Sequence, residues 1–132
     1  MLGDRDVTTM VAVKDADEAA RFYEDVLGLT VLDRSPTVVR FRSGASTLVV
    51  YQSDTAGTNR ATTALWRVDD LDSTVAALKA KGVEFDHYDD LPGVKREGDV
   101  HDLGAFRTAW FKDPTGNTFE VNEGVDLGDL QV

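Results

Sequence analysis

Apolar positions along the chain fall into two similar stretches. In the first, Met10, Val11, Ala12 and Val13 read as a strand. Ala19, Phe22, Tyr23, Val26 and Leu27 then recur at i, i+3, i+4, i+7 and i+8, one apolar helical face over residues 16–27. Asp15 is placed to accept hydrogen bonds from the first turn, and Glu18 three residues on fits a capping box. Gly28 supplies the left-handed stop. Residues 37–41 and 47–51 flank Ser43-Gly44-Ala45-Ser46 and read as a hairpin.

The second stretch repeats this order. Leu65, Trp66, Arg67 and Val68 read as a strand. Asp70 caps a helix whose stripe is Leu71, Val75 and Leu78. Lys79 and Lys81 sit where the helix dipole favours cations, and Gly82 ends the helix. Residues 106–112 and 118–122 read as strands around Asp113-Pro114-Thr115-Gly116-Asn117, where proline sets φ and Gly116 allows positive φ. Residues 55–60 read as a short polar hinge and residues 86–104 as a long binding loop or lid. The tail after Glu123 is expected to fray.

The chain has 132 residues, enough for one domain that buries roughly two-thirds of its unfolded surface. The absence of cysteine excludes disulfides, thiolate metal sites and a cysteine nucleophile. Net charge is -10, from 24 acidic and 14 basic residues, which disfavours nucleic acid and anionic membranes as partners. Met1 to Asp6 lacks a signal-peptide pattern, so a cytoplasmic location is expected. No phosphate loop, dinucleotide fingerprint or Ser-His-Asp arrangement appears.

Three pieces in order resemble the vicinal-oxygen-chelate superfamily of glyoxalases, bleomycin-resistance proteins and extradiol dioxygenases. They are the helix segment from Asp15 through Phe22-Tyr23 to Leu27-Gly28-Leu29, the cap Val68-Asp69-Asp70-Leu71 with Lys81-Gly82-Val83, and the hairpin Phe111-Lys112-Asp113-Pro114-Thr115-Gly116-Asn117 with Glu120. The resemblance implies an α+β fold of two βαβββ modules, at 7–54 and 61–123, within one domain. It further implies a cupped mixed sheet around a cavity, with helices outside. Phe22, Tyr23, Leu27, Leu71, Val75 and Leu78 are then core.

The resemblance also implies where a divalent metal would sit. The family's first-strand ligand lies seven residues before the capping Asp, which is Thr8 in one half and Thr63 in the other. The second-strand position falls at residues 49–51, which offer no acid or imidazole, and Glu120 matches the last ligand. A neutral threonine hydroxyl is a poor metal ligand. No metal-binding residues and no cofactor are therefore assigned, and a divalent metal held in a nonstandard way is the alternative.

Glu120 is a candidate catalytic base or acceptor, with His101 beside it as a second catalytic candidate. Against this, Glu120 could be a structural partner of Arg107 or Arg67, and His87 and His101 could be solvated loop residues. If Thr63 faces the cavity, strand alternation turns Leu65 and Arg67 the same way, and the same count turns Thr8, Met10 and Ala12 inward in the first half; Thr8, Met10, Tyr51, Thr63, Leu65 and Arg67 are then the candidate ligand-binding residues. Trp110 is either cavity wall or core. The reading is a small-molecule-binding protein of the bleomycin-resistance type, a homodimer that sequesters a small organic ligand. The alternative is a lyase, isomerase or dioxygenase built on Glu120.

Overall fold

The computed structural model describes residues 1–124. The expectation about the tail concerns residues 125–132, which lie outside the described residues. The chain divides into two compact units, one of Met1–Ala61 with Asp113–Asn117, the other of Thr62–Lys112 with the strand that begins at Thr118. The fold is α+β, with two mixed sheets of four and six strands.

The first unit begins with a single 3-10 turn at Leu2–Asp4, then β1 (Thr9–Val13) and α1 (Ala16–Arg21). The Asp15 side chain accepts from the Glu18 amide at 3.0 Å, the cap expected from sequence. The helix does not run on to Leu27 as regular α-helix. Residues Phe22–Val26 widen into a π-helical turn, in which the Leu27 amide donates to the Phe22 carbonyl. Widening turns Tyr23 fully inward while Phe22 and Leu27 stay half-buried, so the core stripe is narrower than its periodicity suggests.

After Gly28, whose φ of 76° ends the helix, come β2 (Thr30–Arg34), β3 (Val38–Ser43) and β4 (Ser46–Gln52). Gly44 opens the two-residue β3–β4 turn with positive φ. The sheet order is β1-β4-β3-β2, with β1 parallel to β4. Val11, Val13, Val39, Phe41 and Val50 form its buried face beneath Ala19 and Tyr23. The connector at 55–60 is a packed turn: Ala56 is buried and Gly57 presses against Thr115 of the Asp113–Asn117 turn.

The second unit runs β5 (Thr62–Arg67), α2 (Leu71–Ala80), β6 (Phe85–Asp86), β7 (Lys95–Glu97), β8 (Val100–Asp102), β9 (Phe106–Lys112) and β10 (Thr118–Gly124). Asp70 caps α2 through the Ser73 amide at 3.0 Å, and Glu123 accepts from the Leu71 amide at 3.0 Å. Sheet order is β5-β10-β9-β8-β7, with β6 also on β9. Leu71, Val75 and Leu78 are buried, and α2 packs on β9 and β10.

The segment 86–104 is not a plain loop. Gly98, with φ 61°, opens a two-residue turn between β7 and β8, and β8 joins the sheet through β9. The residues of β7, Lys95, Arg96 and Glu97, are all exposed, so the strand has no apolar alternation to announce it.

Candidate functional site

Successive strand residues face opposite sides of a sheet, and directly paired residues share a side. On β10, Glu120 lies opposite Trp110 of β9 and beside Leu65 of β5. Asn122 follows on the same side, opposite Thr108 and beside Arg67. Thr108 in turn pairs with His101 of β8. One face of the six-stranded sheet therefore carries Leu65, Arg67, His101, Thr108, Trp110 and Glu120. Thr63 precedes Leu65 by two positions and is half-buried. The centre of the other face is apolar: Phe111 and Phe119 pack at 5.9 Å, and Trp66 reaches Phe119 at 5.5 Å.

The centre of the polar face is Glu120. Its Oε2 accepts from Thr108 Oγ1 at 2.6 Å and its Oε1 from Trp110 Nε1 at 3.1 Å. Of the arginine partners suggested by sequence, Arg107 is not used here. Arg107 instead bridges Glu123 and Asp72, on the side of the sheet opposite Glu120. An open cleft of about 340 Å³ at that end of the sheet is lined by Asp69, Asp102, Arg107 and Glu123, away from Glu120.

Trp110 is half-buried and donates to Glu120. Tyr88 packs edge-on to it at 5.1 Å and His101 at 4.9 Å. His101 is not a solvated loop residue. It is fully buried, because β8 carries it onto the sheet against Thr108. Its Nε2 accepts from the Tyr88 backbone amide at 2.9 Å, and its Nδ1 is buried without a hydrogen-bond partner. Burial pushes this imidazole below the ordinary histidine value, with smaller opposing effects from the Thr108 backbone and Asp89. His101 and Glu120 do not meet directly; Trp110 stands between them.

His87 is more open. Its Nε2 lies 2.8 Å from Asp99 Oδ1, and Lys79 Nζ holds the other oxygen at 2.7 Å. The Lys79 ammonium first, and His87 second, keep the Asp99 carboxyl below its usual range. Asp86 receives Lys112 and the Tyr88 hydroxyl, so the rim near Trp110 is charged on both sides.

In the first unit, Met10 pairs with Val49 and Ala12 with Tyr51, so these four share the face opposite that unit's core. Met10 is 54% exposed, Tyr51 is half-buried, and Thr8 is exposed just before β1. Thr108 and Tyr88 were missed from sequence. Thr108 stands two residues before Trp110, so alternation along β9 could have found it; Tyr88 carries no such signal.

The Glyoxalase/Bleomycin resistance protein/Dioxygenase superfamily model matches residues 7–121. The chain belongs to that superfamily. Members of this superfamily with solved structures share the vicinal-oxygen-chelate fold with it. A glyoxalase/bleomycin resistance protein from Streptomyces sp. CB03234 is 26% identical, with TM-score 0.64, covering 89% of this chain and 99% of that one. TnmS3, an antibiotic binding protein from the same source, is 23% identical, with TM-score 0.64 and coverage of 92% and 98%. The fosfomycin resistance protein FosX from Listeria monocytogenes, solved with Mn(II) and sulfate, is 17% identical, with TM-score 0.70 and coverage of 95% and 93%. No curated protein matches the chain.

A superfamily metal centre needs several charged or imidazole donors converging on one point. Among the described residues, no three of His, Asp or Glu are so placed. Around Glu120 the neighbours are a neutral hydroxyl, a weak metal ligand, and an indole N–H, which cannot bind a cation. The residues around Glu120 do not fit the group.

Proposed function

We propose that this superfamily member binds a small amphipathic organic molecule without chemical change, on the Glu120 face of the second unit. The arrangement of Glu120 carries the reading. An ionised carboxylate offers roughly four acceptor positions, and Thr108 and Trp110 occupy two of them. The two remaining positions suit N–H or O–H donors of a ligand, while the Trp110 ring and Leu65 offer apolar contact. A carboxylate held by two donors is positioned rather than mobile, which favours recognition. Thr63 and Arg67 lie along the same face; in the first unit, Thr8, Met10 and Tyr51 are proposed as ligand contacts of that unit's own open face. The antibiotic-binding relative gives a precedent for small-molecule binding on this fold. We read the protein as a cytoplasmic homodimer with neither nucleic acid nor membrane as partner. Among the described residues, no helix is long and apolar enough to cross a membrane.

The test is elemental analysis after incubation with nickel, zinc, manganese and iron(II), followed by a thermal-shift screen of organic amines and neutral aromatics. No retained metal, with stabilisation by amines that is lost in Glu120→Gln, is the expected result. Near-stoichiometric retention of any metal would overturn this reading and favour a lyase, isomerase or dioxygenase.

A further inference from the structure

The segment carrying Tyr88 is tied to the Glu120 site through one buried side chain. His101 is fully buried on β8, and its Nε2 takes the Tyr88 backbone amide at 2.9 Å. An Nε2 that accepts carries no proton, so the neutral ring holds its proton on Nδ1, which faces the interior without a partner. The same ring abuts Trp110 edge to face at 4.9 Å and 77°. The Tyr88 ring meets Trp110 from another direction, at 5.1 Å and 88°. Trp110 then donates to Glu120 at 3.1 Å.

We propose that Tyr88 is a specificity-determining wall of the Glu120 site and that His101 is the positioning residue that holds it there. His101 is thereby no acid–base catalyst: one ring nitrogen is engaged by the backbone and the other is sealed from solvent. Its ring fixes Tyr88 by a directional bond and Trp110 by an edge contact, so both walls depend on one uncharged imidazole. Without that bond the Tyr88 amide would be a polar group lacking its partner beside an aromatic cluster, which the chain relieves by moving the segment away. The charged groups around the ring are His87, whose ring lies 6.4 Å away, Arg96 opposite it on β7, and Asp89, which pairs with Arg96. None of these offers His101 a hydrogen bond, so the tautomer is set by the Tyr88 amide on Nε2 and by the Thr108 backbone beside the ring. This inference rests on the binding reading only for naming the site; its structural core needs no ligand.

Two measurements test it. Long-range proton–nitrogen NMR spectra of the unaltered chain at neutral pH are expected to show His101 protonated on Nδ1. A ring protonated on Nε2 would overturn the proposal whatever any variant does. In His101→Phe, which keeps a ring against Trp110 but has no acceptor, the Tyr88 amide is expected to exchange about tenfold faster or more. The Trp110 indole resonance should stay close to its original position, and His101→Gln, which keeps an acceptor, should restore slow exchange at Tyr88. Unchanged Tyr88 exchange in a folded His101→Phe protein would also overturn it. Tyr88→Ala should then change the ranking of ligands found in the thermal-shift screen. An unchanged ranking removes Tyr88 from the site while leaving the binding reading intact, and a screen with no ligand defeats only the binding reading.

Discussion

The Tyr23 hydroxyl donates to Oδ2 of Asp113 at 2.8 Å, joining residues 90 positions apart. Asp113 Oδ1 meanwhile accepts from the amides of Thr115, Gly116 and Asn117, and the Asn117 side chain donates both to Asp113 and to the Ala12 carbonyl. Two sequence signatures, the Phe22-Tyr23 helix and the Asp113–Asn117 turn, are thus the two sides of one buried contact. Burial, and then the Asp113 charge, push the Tyr23 hydroxyl well above its ordinary range, so it stays a donor. Tyr23→Phe keeps the ring but leaves the buried carboxylate one donor short. It is expected to cost about 1–3 kcal/mol in urea unfolding.

Gly57 makes a second close approach to that turn. Its φ is 81°, and an added Cβ would lie 2.8 Å from the Thr115 carbonyl oxygen. Gly44 has similar positive φ but open space around it. Gly57→Ala should therefore be clearly the more damaging of the two, with Gly44→Ala costing about 1 kcal/mol. Thermal unfolding of both variants checks the order.

Glu120→Gln tests charge at constant shape. The carboxamide oxygen can still accept from Trp110 Nε1, and its NH2 can donate to the Thr108 hydroxyl, which can reverse its role. Stability should change by about 1 kcal/mol or less. Affinity for amine ligands should fall about tenfold or more, while neutral aromatics are little affected. Calorimetric titration of both ligand types reads this difference.

Acid should destabilise the fold in two stages. The folded His101 titrates below the ordinary value of 6.5, because burial disfavours its charge. As pH falls below that value, the unfolded chain takes up a proton that the folded chain does not, and stability declines until the folded value is passed. Asp99 is held low by Lys79 and His87, and Asp89 by Arg96. Their contribution is present above the ordinary carboxylate value of 3.8 and is lost as pH falls through their lower folded values. Urea midpoints measured from about pH 8 to about pH 3 should show both declines, with the first missing in His101→Gln.

The start of α2 depends on a distant acid. Glu123 on β10 accepts from the Leu71 amide and is itself gripped by Arg107, which also holds Asp72. Glu123→Ala removes a helix-end acceptor and should cost about 1 kcal/mol. Arg107→Ala should cost less, because the arginine is partly exposed and screened by solvent. Circular dichroism melts of both variants check the order.

Both helices and their Asp15 and Asp70 caps were legible, because capping and the 3.6-residue stripe are local. The two long hairpins were legible through alternation and turn residues. The β7–β8 hairpin was not, since its first strand has no buried position and its turn is marked only by Gly98. Within the site, Leu65 and Arg67 could be placed on one side of the sheet with Thr63 by counting in twos, and Glu120 by the resemblance, whereas sequence alone leaves Trp110 as either cavity wall or core. Thr108 as a partner of Glu120, and Trp110 as the other, could not be placed: cross-strand neighbours depend on register, which local sequence does not encode.

Sequence by itself determined both capped helices and the two long hairpins, because those follow from periodicity, caps and turn chemistry read over short spans, and the resemblance of three motifs in order pointed to the family and its α+β class. Only the tertiary structure decided which donors Glu120 meets and that His101 is buried rather than solvated. It also decided that Tyr23 and Asp113 form one contact. Each of these depends on side chains from separate strands or helices arriving within about 3 Å of one another, a distance at which hydrogen-bond direction matters. Such convergence is set by register and packing across the whole sheet, where no single segment carries the information.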